Sequence, residues 1–203
     1  MPQVRSRQVL VGVTGGIGSG KSVVCQVFEC LGTPVYYADS RAKWLMSNDP
    51  ELKLKIVDTF GEESFFGDQL NRTFLAKHVF SDKKQLEALN HLVHPAVAQD
   101  GLGWQESHSA SKLLVKEAAL LYETGSYKQL DHIIVVAAEL DLRVKRILAR
   151  DPQRSRDEVL QIIEKQISQE EKIERADFVI YNDDQHSLID QVYAFLRKIN
   201  LDS

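Results

Sequence analysis

The stretch Gly15-Gly16-Ile17-Gly18-Ser19-Gly20-Lys21-Ser22 decides the fold. It spells glycine, four residues, then Gly-Lys-Ser, which is the P-loop pattern, and its flanks fit that context. Val9-Leu10-Val11-Gly12-Val13 before it is a short apolar run of the kind a buried strand shows. Behind it, Val24, Val27, Phe28 and Leu31 recur at i, i+3, i+4 and i+7, one face of a helix. Strand, glycine-rich turn and helix start together make an anion site, because backbone N–H groups converge there and the helix adds positive dipole potential. In that geometry Gly16, Ile17, Gly18, Ser19 and Gly20 line the phosphates, Lys21 reaches the β and γ phosphates, and the Ser22 hydroxyl ligates magnesium. The rival dinucleotide pattern, G-x-G-x-x-G from Gly16, needs glycine at position 21 and meets Lys21. A glycine turn of purely structural purpose would not call for both flanks. The pattern implies a nucleoside triphosphate.

Working outward, Pro34-Val35-Tyr36-Tyr37 is short and β-prone after the helix stop at Leu31-Gly32, and it reads as a second parallel strand. It brings Ala38-Asp39-Ser40 to the end of the sheet where open α/β folds bind ligands. Asp39 then has two readings. It or Ser40 caps the helix through Trp44 and Leu45, or its carboxylate takes a proton from a hydroxyl attacking the γ-phosphate.

Asp49-Pro50-Glu51 opens a further helix, with a cap, proline at the first position and an acid in the first turn; Leu52, Ile56 and Val57 line one face and Phe60-Gly61 closes it. The segment from Phe66 to Arg72 reads as a turn-rich connection. Helices are expected around Phe74–Phe80 and Ser81–Val93, with His94-Pro95 as an interruption that leaves His94 at a helix end. From Asp39 to about Ser109 the chain is therefore expected to be helical and free of strands, an insertion able to carry substrate specificity.

Strand patterns return at Lys112–Val115, with Glu117 just beyond, where many P-loop enzymes place an acid near magnesium, and at His132–Ala137. A basic segment follows: Arg143, Lys145, Arg146, Arg150, Arg154 and Arg156. Such a run is usually a solvated helix face. After a sheet strand in a triphosphate-binding chain, its guanidinium forks also suit phosphate oxygens. Asp151-Pro152 breaks the helix, Ser155-x-x-Glu158 has the spacing of a capping box, and helix, break, helix reads as a lid. Phe178–Tyr181 is the last expected strand, ending at Asn182. The closing helix should bury Leu188, Ile189, Val192, Phe195, Leu196 and Ile199. The expected class is α/β, a three-layer parallel-sheet P-loop NTPase core with a helical insertion and a helical lid. The core takes residues 1–38, 110–142 and 175–203, the insertion 39–109 and the lid 143–174.

The 203 residues, of which 43% are hydrophobic and 27% charged, suit a soluble globular protein, and a formal charge of -4 argues against a general nucleic-acid binder. Residues 1–8 are polar with two arginines, which is no signal peptide, and no run approaches the roughly 18 apolar residues of a membrane span. The expected location is the cytoplasm. Cys25 and Cys30 lie five apart on one helix, on different sides, so two buried, reduced thiols are expected.

A P-loop core serves small-molecule kinases, nucleotide-switched regulators and ATPase motors. The Asn-Lys-x-Asp base-reading motif of GTPases is absent, and 203 residues leave little room for a motor's further domains. A helical insertion with an arginine-rich lid favours a kinase. Other P-loop kinases acting on a nucleoside or its monophosphate, and a non-catalytic ATP-binding module, stand as alternatives.

Thr14–Ser22, Ala38-Asp39, Leu70-Asn71-Arg72, His94-Pro95, Leu120-Leu121-Tyr122-Glu123 and Arg146-x-x-x-Arg150-Asp151 closely resemble the dephospho-coenzyme A kinase family. Gln166, Ala176-Asp177 and Asn182 are also in place, so the likeness runs over nearly the whole chain. The resemblance implies transfer of a phosphoryl group from ATP, with Mg2+, to the ribose 3′-hydroxyl of dephospho-coenzyme A. It implies Asp39 as base or hydroxyl-orienting group, with Lys21 and Arg146 completing the catalytic set. Arg72, His94 and Glu123 become substrate contacts, Arg146 and Arg150 phosphate ligands, and Asn182 a neighbour of the adenine. Val23 extends the nucleotide loop where the family often has threonine. Further departures are Tyr37 for the first acid of Asp-Ala-Asp, Glu117 and Ala119 for an aspartate and a proline, and Arg143 where glutamine is frequent. If that aspartate serves magnesium, Glu117 must do so with a longer reach.

Overall fold

A computed structural model describes residues 8–183 and 185–201, with nothing said of the side chains of Phe80 and Ser81. The amino-terminal stretch read above as no signal peptide lies, up to residue 7, outside the described residues.

Strand β1 (Val9–Thr14) runs into the glycine-rich loop, and α1 (Lys21–Cys30) starts at the lysine itself. After β2 (Val35–Tyr37) come four helices, α2 (Ala38–Asn48), α3 (Pro50–Phe60), α4 (Arg72–Ser81) and α5 (Lys83–Ser107). Between α3 and α4 sits a small antiparallel hairpin, β3 (Phe65–Phe66) and β4 (Gln69–Leu70). The chain then returns through β5 (Leu113–Glu117), β6 (His132–Ala137), α6 (Leu140–Arg150), α7 (Arg156–Glu164), α8 (Gln169–Glu174), β7 (Phe178–Tyr181) and α9 (Leu188–Lys198). Residues up to Tyr36 together with His108 onward form one compact unit, and Tyr37–Ser107 form a second.

In the first unit the five strands lie in the order β2-β5-β1-β6-β7, with β1 paired in parallel to both β5 and β6. This order places the carboxyl end of β1 in the middle of the sheet, where the chain crosses over to either side and where such sheets bind ligands. β6 alternates between two layers. His132 meets the ring of Phe195 on α9, which also stacks edge-on against Phe28 of α1, whereas Ile133 and Val135 pack with Tyr122, Ile167 and Ile173. Helices therefore cover both faces, as a parallel sheet requires. Val11, Val13, Ile134, Val135 and Val136 are fully enclosed, which is why β1 and β6 show as continuous apolar runs.

In the second unit Leu45, Leu52, Ile56, Leu75 and Val93 form the core. Asp49 caps α3 by accepting from the Leu52 N–H at 2.9 Å, with Pro50 following as expected. Three expectations are corrected here. The region does contain strands, the hairpin at 65–70, whose two-residue arms are too short to show alternation. The cap of α2 is Tyr37, with no side-chain cap bond, so Asp39 and Ser40 lie inside the first turn and neither is the N-cap. Finally, α5 continues through Pro95, so His94 is a mid-helix residue. Proline at 95 removes one N–H and frees the carbonyl of His91, an interior cost of about 3 kcal/mol. Burial of Val93 in a cluster joined by Leu89, Leu92, Ala96 and Val97 offsets that cost on both sides of the proline.

Two smaller corrections concern burial. Ile189 is 55% exposed, outside the apolar face that Val192, Phe195 and Leu196 make. Of the two thiols only Cys25 is buried; Cys30 is exposed and both are free. Burial first, then the carboxylates of Glu117 and Glu29, push the Cys25 thiol up, against a small opposing effect of Lys21. A thiol-specific disulfide reagent at pH 8 should thus titrate one cysteine in the native protein and both in denaturant; two fast native thiols would contradict this packing.

Candidate functional site

The loop closes tightly on itself. Ser19 N–H donates to the Gly16 carbonyl at 3.1 Å, and the Lys21 Nζ folds back to the carbonyls of Gly15 at 3.1 Å and Gly16 at 3.5 Å. The ammonium is thereby held at the mouth of the loop. Gly20, the residue before α1, adopts φ +88, and a Cβ there would collide with Asn182 Nδ2. Gly16 lies directly over the Arg143 guanidinium, so a Cβ at that position has no room either. These glycines admit the supports that shape the loop.

Glu117 ends β5, in register with Val13 of β1, and stands 3.9 Å from Lys21 Nζ with both side chains about nine-tenths enclosed. The Ser22 hydroxyl and this carboxylate are the donors that fit a magnesium ion carried by a nucleotide. A hard cation of that size takes one or two protein oxygens and leaves the rest of its shell to phosphate and water.

Asn182 follows β7. Its Nδ2 donates to the Ser19 carbonyl at 2.8 Å, while Arg146 reaches its backbone oxygen at 3.2 Å and its Oδ1 at 3.3 Å. Arg146, Asn182, Ser19 and Gly20 thus form one connected group beside the loop. Arg150, one turn on, is mostly exposed and pairs with Asp151 at 3.4 Å. The Ser155–Glu158 capping box is complete at the start of α7.

Several of the supporting residues read differently in sequence and structure. Arg143 lies inside the molecule at 5% exposure, its Nε donating to the Ile17 carbonyl at 2.9 Å, and burial lowers its pKa with Glu170 opposing. Lys172, which the sequence reading does not single out, is fully buried and paired with Glu123 at 3.1 Å. Glu123 also accepts from the Ile167 N–H at 3.1 Å. The pair is lopsided, with the Lys172 side chain 1% and the Glu123 side chain 19% exposed. Glu123→Ala strands a buried ammonium and should lower stability to urea by about 3–5 kcal/mol. Lys172→Met should cost less than half as much, because the Glu123 carboxylate keeps its amide donor and its access to water; equal losses would contradict the asymmetry.

In the second unit, Asp39 occupies the first turn of α2. Arg72 opens α4 and helps line an open hollow of about 340 Å³ with Ser47, Asn48, Asp68, Gln69 and Leu70. His94 is among the exposed residues of α5. Partial desolvation and, secondarily, His91 lower its pKa.

Comparison with known proteins gives this arrangement its context. A sequence model of the dephospho-CoA kinase family matches residues 9–187. The chain belongs to the dephospho-CoA kinase family. As a member it is a kinase of P-loop architecture. It is 40% identical over 188 residues to dephospho-CoA kinase of Bacteroides fragilis, covering 93% of this chain and 91% of the relative. Among solved structures it is similar to TT1252 from Thermus thermophilus, with a TM-score of 0.81, 35% identity and 95% and 98% of the two chains covered. It is also similar to dephospho-CoA kinase from Campylobacter jejuni, with a TM-score of 0.69, 26% identity and the same coverage.

Proposed function

We propose that this family member transfers the γ-phosphoryl group of ATP to the ribose 3′-hydroxyl of dephospho-coenzyme A, the last step of coenzyme A biosynthesis. The observation that carries this reading is the span of the family match, which takes in the phosphate loop and the helical unit alike. Phosphoryl transfer needs in-line placement and charge neutralisation rather than a covalent nucleophile on the enzyme. Lys21 and the loop N–H groups, with Val23 continuing the same helix start, supply the first part of that charge. Ser22 and Glu117 would hold Mg2+, which would supply positive charge to the phosphates. Arg146 and Arg150 add guanidinium charge from α6, and Asn182 fixes Arg146 while bordering the adenine.

Asp39 takes or orients the proton of the attacking hydroxyl. The helical unit, residues 39–109, receives the coenzyme A moiety, with Arg72 as a cationic contact and His94 as a hydrogen-bonding one. Glu123 serves the substrate side through the segment it pins at Ile167. The lid, residues 143–174, excludes water and so suppresses hydrolysis of ATP. The substrate is a small molecule rather than nucleic acid, and the enzyme works in the cytoplasm. Among the described residues no helix is long and apolar enough to cross a membrane.

The reading is tested on the product. Mass spectrometry and 31P NMR after incubation with ATP, Mg2+ and dephospho-coenzyme A should show one new phosphomonoester on the 3′-hydroxyl. Chelation with EDTA should stop its formation. A phosphomonoester elsewhere, or formation unaffected by EDTA, would contradict the assigned roles.

A further inference from the structure

Ile17 forms the crest of the phosphate loop, and residues of α6, α7 and the turn after α7 hold it on every side. Its N–H donates to Gln166 Oε1 at 2.9 Å. Its carbonyl accepts from Arg143 Nε at 2.9 Å. Its side chain packs against the cluster of Val144, Ile147 and Val159, with Leu160 and Ile163 alongside. A loop residue whose amide, carbonyl and side chain are all fixed by a single stretch of chain cannot rotate either of its flanking peptides without disturbing that stretch.

The stretch is itself anchored. Next to Gln166, the Ile167 N–H is bound by Glu123, and Glu123 is paired with Lys172, whose Nζ also reaches the Ala119 carbonyl at 3.4 Å. Between them, Gln169 Oε1 accepts from the Ala138 N–H at 3.1 Å. Residues 166–172 therefore run as a strap across the carboxyl ends of β1, β5 and β6, tied to each. Any lid movement is left to the part beyond it, the break between α6 and α7 and the exposed arginines around it.

We propose that Gln166 is a positioning residue for phosphoryl transfer. Its amide oxygen, held in place by the strap, sets the orientation of the Gly16–Ile17 peptide and with it the adjacent loop N–H groups that receive the phosphates, while Arg143 holds the following Ile17–Gly18 peptide by its carbonyl. The chemistry suits glutamine: the site needs an acceptor for one N–H, and a neutral acceptor adds no negative charge beside the triphosphate. A carboxylate there would keep the hydrogen bond and repel the nucleotide. The inference rests on the reading of the chain as an ATP-dependent kinase.

The test compares Gln166→Met, which keeps length and loses the acceptor, with Gln166→Glu, which keeps the acceptor and adds charge. Two readouts are taken: steady-state kinetics with ATP and dephospho-coenzyme A, and amide hydrogen exchange at Ile17 by NMR without nucleotide. Gln166→Met should lower kcat/KM for ATP about tenfold to a hundredfold, as small misplacements do. It should leave KM for dephospho-coenzyme A within about twofold and Tm within a few degrees, and it should speed Ile17 exchange at least about tenfold. Gln166→Glu should retain the Ile17 protection while raising KM for ATP. The proposal is overturned if a folded Gln166→Met keeps full kcat/KM for ATP or leaves Ile17 exchange at the wild-type rate. Should Gln166→Met fail to fold, Gln166→Glu decides: retained Ile17 protection supports the proposal and lost protection overturns it. A wild-type enzyme that transfers nothing to dephospho-coenzyme A would defeat the kinase reading separately, leaving the exchange measurement to judge the clamp.

Discussion

Lys21→Ala should lower kcat/KM for transfer by about a thousandfold or more, with the protein still folded. The size follows from what the side chain does. Its ammonium is held on the carbonyls of Gly15 and Gly16, close to Glu117, in a site nearly closed to water. A charge so enclosed acts on developing phosphate charge at low dielectric, and losing one such preorganised donor costs about 10²–10³ in rate, with larger losses known for cationic groups in phosphoryl transfer. The substitution also leaves the enclosed Glu117 carboxylate without the cation 3.9 Å away, so some loss of stability is expected and melting is followed to separate it from the loss of rate. Lys21→Arg should not restore the rate, since a planar fork cannot take up the folded-back path of the Nζ. The measurement is steady-state ADP production alongside thermal melting. Activity within tenfold of the wild type would count against the phosphate-cradle mechanism.

The second large effect is expected at Asp39. Asp39→Asn keeps volume and position in the first turn of α2 while removing the ability to accept a proton, and it should lower kcat by about 10²–10⁴-fold. Because this residue does not cap the helix, the substitution breaks no cap bond, and the protein should melt within a few degrees of the wild type. ATP affinity by calorimetry should be largely retained, as the substitution leaves Lys21 and the glycine-rich loop intact. Unchanged turnover in Asp39→Asn would remove the proposed base and leave hydroxyl activation to another group.

Which parts of this structure could be read in advance depends on how local their causes are. β1 and β6 are legible because strands enclosed on both faces must be apolar throughout, and the Asp49 cap and the Ser155–Glu158 box are legible because each is settled within four residues. The phosphate loop is legible because its glycines and lysine answer to one ligand geometry. Long-range burial leaves no such mark. Pro95 signals a break by its own chemistry, and only the packing around Val93 shows that α5 runs on. Arg143 and Lys172 carry charges that belong on a solvated face unless a partner far along the chain is known. Their partners are the Ile17 carbonyl, 126 residues away, and Glu123, 49 residues away. Glutamine at 166 stands out in sequence only as part of the family likeness, with no role attached, since its place is set by a loop 149 residues upstream. Lys21, Ser22 and Glu117 could be nominated from pattern and strand position, whereas the way Asn182, Arg146, Arg143 and Gln166 hold the loop could be found only in three dimensions.

The most direct measurement is ADP release from ATP and Mg2+ with dephospho-coenzyme A as acceptor, set beside AMP, adenosine and no acceptor. Strong stimulation by dephospho-coenzyme A alone is the expected result. Stimulation by AMP or adenosine in its place, or ATP binding with no stimulation by any acceptor, would contradict the proposed reaction.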